Sequence, residues 1–153
     1  MINGTPNTQL KHWAAGLVGK SWALGANGPD QFDCWGLVAF VQHLKYRREV
    51  PVLSVNRPDT DQWSTIRHLA QHSGWGKVES GLDGDVVLMS SRSGPHIGTL
   101  VLADGALGLL HAFGFRDVDG NDHGAVCFNP MSALPGMGYG RFEFWRHDAA
   151  RTV

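Results

Sequence analysis

Hydrophobic residues recur at helical spacing as far as about residue 70 and fall into strand-like runs after Gly74. That change of period limits the fold more than any other feature. Helices come first and antiparallel strands second, which is an α+β arrangement with helices packed on one side of a sheet. Asn7 or Thr8 is placed to cap a first helix carrying Leu10, Trp13, Ala14, Leu17 and Val18, with Gly19 ending it. Gly25-Ala26-Asn27-Gly28-Pro29-Asp30 is a loop by its composition. A second helix opens near Asp33 or Cys34 and runs to about Arg48, with Leu37, Val38, Val41 and Leu44 as its apolar stripe. Pro51 to Pro58 reads as an irregular crossing, after which Asp59 or Thr60 caps a third helix bearing Trp63, Ile66, Leu69 and Ala70.

In the second half, Asp85-Val86-Val87-Leu88-Met89 is a short, largely buried strand. The runs His96 to Leu102 and Leu107 to Phe113 flank Ala103-Asp104-Gly105-Ala106, and Asp-Gly is a strong hairpin signal. Ala125 to Phe128 and Phe142 to Trp145 supply further strands.

One domain is expected over residues 1–153, since no repeat, linker or compositional break divides them and 42% hydrophobic residues suit a packed core. A net charge of −1 without blocks of like charge disfavours a nucleic-acid partner, which demands a concentrated basic surface. No run approaches the roughly 18 apolar residues of a membrane span, so no membrane insertion is expected. Met1 to Gln9 lacks the basic-then-apolar pattern of a secretory signal. The chain is therefore expected to be made in the cytoplasm, where its two cysteines would stay unpaired.

Chemistry concentrates around Phe32-Asp33-Cys34-Trp35-Gly36-Leu37-Val38, where a cysteine stands at the passage from a glycine-rich loop into a helix. First-turn amides favour a thiolate there. A small hydrophobe sharing a stripe with Val38 and Val41 is an equal reading of this segment alone. Cys127, beside Phe128 in a strand, reads as plain core. A thiol nucleophile needs a histidine as base and a group to orient it. Of eight histidines, His12, His43, His68, His72, His123 and His147 fall on polar faces, loops or the tail and read as surface. His96 and His111 lie on opposite arms of the hairpin. With Asp104-Gly105 as a two-residue turn, Ala103 pairs with Ala106 and Gly98 faces His111. His96 and His111 then project from one face as diagonal neighbours, roughly 7–8 Å apart, with Gly98 leaving room between them. Taken singly, each histidine reads first as an ordinary core or surface imidazole. Two on one face, downstream of a helix-start cysteine, are less expected by accident.

Gly19-Lys20-Ser21-Trp22 with Gly25, Phe32 to Val38, Gly84-Asp85-Val86-Val87-Leu88, His96-Ile97-Gly98 and Leu110-His111-Ala112 together resemble the NlpC-type, papain-like cell-wall cysteine peptidases. The likeness runs from about Gly19 to Gly114 and is greatest to the branch found in phage and prophage tails. It implies a papain-like α+β fold with the cysteine at a helix N-terminus, packed on an antiparallel sheet that carries the histidines. It also implies Cys34 as nucleophile, His96 as general base and His111 as the polar residue that orients His96. Many members place Tyr at Trp22, where a hydroxyl helps hold the oxyanion; an indole N–H is also a donor, and the Cys34 amide would be the other. Many carry Ser where Trp35 stands. Asp33 is either a helix cap or a contact for a substrate amine. Trp22 and Trp35 are candidate cleft walls, while Trp13, Trp63 and Trp145 read as core or rim.

The expected reaction is hydrolysis of an amide in bacterial peptidoglycan stem peptides, at the D-γ-glutamyl to diaminopimelate bond, without metal or cofactor. Other phage tail proteins are the expected partners. The alternative is a catalytically silent tail component on a papain-like core. A zinc site built from Cys34, His96 and His111 with Cys127 or His123 lacks any close ligand pair at metal spacing. Lipid acyl transfer is disfavoured because the permuted acyltransferases place His before Cys.

Overall fold

A computed structural model describes residues 13–50, 66, 70–71 and 73–151 of the chain. The cap and start of the first expected helix, and most of the third, lie outside these residues. So do Trp63, His12, His68 and His72.

Among the described residues, eight strands form one sheet: β1 (Ser21–Trp22), β2 (Gln31–Phe32), β3 (Trp75–Val78), β4 (Val86–Ser91), β5 (Gly94–Ala103), β6 (Ala106–Arg116), β7 (Asp122–Asn129) and β8 (Gly140–His147). Their order is β2-β1-β7-β6-β5-β4-β8-β3. Neighbours pair antiparallel except β1 with β2. The β5–β6 hairpin turns as expected, with Ala103 opposite Ala106. Asp104 and Gly105 take φ of 53° and 83°, the paired left-handed conformations of a tight hairpin turn that matches strand twist. Ser21–Trp22 and Gln31–Phe32 are too short to show a period, and Trp75–Val78 follows a turn; none of the three was expected as a strand.

Helix α1 (Cys34–Tyr46) crosses one face of the sheet. Its Leu37 and Val41 pack with Val101, Ala103, Leu110, Ala112 and Val126, joined by Trp22 and Phe32. Val38 and Trp35 pack with Trp75, Val86, Leu88, Ile97 and Trp145. Leu44 departs from the expected stripe: it is 49% exposed, and Gln42 is buried in its place. The Gln42 amide donates to the Gly84 carbonyl at 3.0 Å, tying α1 to the loop before β4. The helix stops at Tyr46, where Arg47 adopts a left-handed conformation with φ 58°.

On the other face, Val87, Met89, Leu100 and Leu109 pack against Leu134 and Tyr139. Those two residues come from the stretch of two short 3₁₀ turns, Met131–Ala133 and Pro135–Met137, that leads into β8. Another 3₁₀ turn, Trp13–Gly16, carries the described part of the first expected helix, with Ala14 fully buried. The last of the described residues form a single turn, α2 (Asp148–Arg151).

Asp85 belongs to the turn before β4, as its position suggests. Its buried carboxylate accepts from the Leu82 amide at 2.7 Å and pairs with the Arg146 guanidinium, the closest contact being 2.7 Å. That pair joins the loop before β4 to β8.

Candidate active site

The site is assembled at the end of the sheet nearest the start of α1. Asp33 caps that helix, its Oδ1 accepting from the Gly36 amide at 2.7 Å while Oδ2 accepts from the Gly25 amide at 2.9 Å. The Asp33 amide in turn donates to the Ala26 carbonyl at 2.8 Å. The glycine-rich loop is thereby folded flat against the first turn. A Cβ on Gly36 would run into the Ala26 carbonyl oxygen, so this position must be glycine. Of the two readings of Asp33, the geometry is that of a cap, since its buried carboxylate is already held by two backbone amides.

Cys34 is the first residue of α1 and is half-buried. The amides of Ile97 and Trp35 and its own amide lower its pKa, as expected at a helix start, but burial and the Asp33 carboxylate outweigh them. The thiol is pushed up to about 12. The resting sulfur is therefore neutral, contrary to the lowered thiol pKa expected from its helix-start position.

His96 and His111 meet directly. His96 Nε2 lies 3.0 Å from His111 Nδ1, with the rings edge to face at 5.2 Å. A Cβ on Gly98 would sit 3.1 Å from the His111 Cβ and 2.7 Å from Leu109 Cδ1, so glycine admits this approach. Both imidazoles are buried and have lowered pKa values. For His96, burial and then the neighbouring His111 bring it down to about 3. Both are neutral near pH 7.

Two further residues belong to the site and carry no motif in the sequence. Asn129, the last residue of β7, places Oδ1 2.9 Å from His111 Nε2. Tyr139 stacks on His96 with ring centroids 4.6 Å apart and planes at 19°. Asn129 could have been found by extending the hairpin register to a third strand; Tyr139 could not, since it follows irregular 3₁₀ turns. Cys127, expected as plain core, lies directly opposite His111 on β7 and is half-buried.

Cys34, His96, Trp22 and Tyr139 line one open cavity of about 580 Å³. Leu24, Phe113, Phe115 and Met137 give it apolar walls, and Arg92 and Arg116 reach its margin. Trp22 lies over Gly114, where a Cβ would strike the indole. Trp35 is not on this wall. It is 4% exposed and packed in the core against Val38, Trp75 and Trp145, because the residue after Cys34 faces the sheet. Among the surface histidines, His43 contacts Glu49 and His123 contacts Asp117, each at 2.7 Å.

The chain is mixed α/β, with a curled, mainly antiparallel sheet, and its fold is NlpC-like. The structure is similar to that of NlpC2 from Trichomonas vaginalis, with a TM-score of 0.54 and 16% sequence identity. The similarity covers 95% of this chain and 50% of the other, so the chain spans about half the length of that relative. No family model matches the sequence, and no curated protein matches it. Among the described residues, no helix is long and apolar enough to cross a membrane.

Proposed function

We propose that this chain is a cysteine hydrolase acting on an amide bond of bacterial peptidoglycan stem peptides, with Cys34 as nucleophile. The observation that carries the reading is the convergence of Cys34 and His96 on one cavity while His96 Nε2 is held by His111. That contact leaves Nδ1 as the nitrogen of His96 free to act as base.

In the proposed cycle, Cys34 Sγ attacks the substrate carbonyl carbon as its proton passes to His96 Nδ1. The Cys34 amide and the Trp22 indole N–H are the candidate donors to the oxyanion. The carbon–nitrogen bond then breaks, and the proton on His96 goes to the departing amine. Water, deprotonated by His96, cleaves the thioester, releasing the acid and restoring the thiol. Because thiol and imidazole both rest neutral, proton transfer accompanies attack rather than preceding it.

The D-γ-glutamyl to diaminopimelate bond is the proposed target, and a phage or prophage tail is the proposed setting; both rest on the sequence resemblance. The neutral resting pair also favours a second reading, a tail component without turnover. Digestion of purified peptidoglycan and of a tetrapeptide stem by wild type and Cys34→Ala, read by mass, separates them. The hydrolase reading expects fragments from wild type only, their masses naming the bond. No fragments from a folded wild type supports the silent component.

A further inference from the structure

We propose that Asn129 is a positioning residue that sets the tautomer of both histidines, fixing His96 with its lone pair on Nδ1. Three adjacent strands each contribute one group to a line across the sheet: His96 on β5, His111 on β6 and Asn129 on β7. Asn129 pairs in register with Leu109, two residues before His111, so it is a diagonal neighbour of His111 on the same face. His96 stands in the same diagonal relation on the other side, as the β5–β6 register shows when continued from Thr99 opposite Leu110.

The direction of the line follows from what each atom can do. An amide oxygen only accepts, so His111 Nε2 carries the proton and donates to Asn129 Oδ1 across 2.9 Å. A neutral imidazole has one N–H, which leaves His111 Nδ1 an acceptor. His96 Nε2–H donates to it across 3.0 Å, and His96 Nδ1 keeps the lone pair. Reversing the amide would reverse every bond, placing the proton on His96 Nδ1 and removing the base. Asn129 carries no charge: its oxygen favours a proton on His111 Nε2, which partly offsets burial, but it supplies no counter-charge to an imidazolium. The inference rests on His96 as the base of the proposed reaction.

The test is long-range proton–nitrogen NMR of the imidazoles in the full ¹⁵N-labelled chain, with steady-state kinetics, for wild type, Asn129→Leu and Asn129→Asp. Wild type is expected to show both histidines with the proton on Nε2. Asn129→Leu should lower that population at His96 and reduce kcat by about 10- to 100-fold at unchanged KM. Asn129→Asp keeps the acceptor and so the tautomers, while its charge raises the His111 pKa and moves the pH–rate profile upward. A wild-type His96 protonated on Nδ1, or an Asn129→Leu chain with wild-type tautomers and kcat, overturns the proposal. Should Asn129→Leu fail to fold, the wild-type and Asn129→Asp spectra decide alone. Tautomers are read without turnover, so an inactive wild type would sink the hydrolase reading and leave this one to the spectra.

Discussion

The Cys34 thiol sits where first-turn amides favour negative charge and where burial and Asp33 oppose it. Burial wins, and with the pKa pushed up to about 12 the resting thiol stays protonated near neutrality. Alkylation of Cys34 by iodoacetamide, followed by peptide mapping, should therefore rise about tenfold per pH unit from about pH 7 to 9 without levelling. A plateau below about pH 8 would show a resting ion pair and contradict this. The nucleophile candidate was legible because a loop-to-helix junction can be read from punctuation. Its protonation state was not, because the opposing burial comes from distant segments. The histidine pair was legible for a different reason: a two-residue turn fixes parity, and parity fixes the face. Asn129 and Tyr139 escaped because their roles depend on a third strand and on irregular turns, which no local period encodes.

Helix α1 owes its start to Asp33, whose two carboxylate oxygens hold a first-turn amide and the glycine-rich loop together. Asp33→Ala should cost about 2 kcal/mol in urea unfolding, at the upper end for a cap because two amides lose their acceptor. Asp33→Asn, which keeps one acceptor oxygen, should cost about half as much. Equal stability of all three proteins would remove the cap from the account. The helix was legible from its stripe at Leu37, Val38 and Val41, but its last turn was not. There Leu44 faces solvent, and the sheet takes Gln42 instead, through a hydrogen bond to a loop 42 residues distant. Trp35 carries the same lesson, since successive residues on a helix point about 100° apart and the neighbour of a cleft residue can lie in the core.

Across the whole molecule, the change of period was enough to give a mixed class of helix and sheet, although β1 and β2 precede α1 where helices were expected first, and the hairpin supplied the centre of the sheet. The short parallel pair β1–β2 and the edge strand β3 were not legible, because they are held by pairing with remote strands rather than by a pattern of their own. The buried neutral histidines affect the stability of the whole fold. Their pKa values are lower in the folded chain than in the unfolded one, so below about pH 6.5 the unfolded chain binds more protons. Stability is then full above that pH and is lost as pH falls, by up to about 1.4 kcal/mol per unit for each histidine. For His96 the loss continues down to about pH 3. The urea midpoint should fall between about pH 7 and pH 5, and fall less in His96→Gln. An equal fall in both proteins would place the effect elsewhere.

The central claim is that Cys34 carries the acyl group, and acid quenching of a stem-peptide reaction followed by peptide mapping tests it most directly. The expected result is a Cys34 peptide heavier by the acyl fragment of the substrate, with both adduct and products absent from Cys34→Ala. Products that form at the wild-type rate in Cys34→Ala, with no adduct on the wild-type peptide, would contradict it.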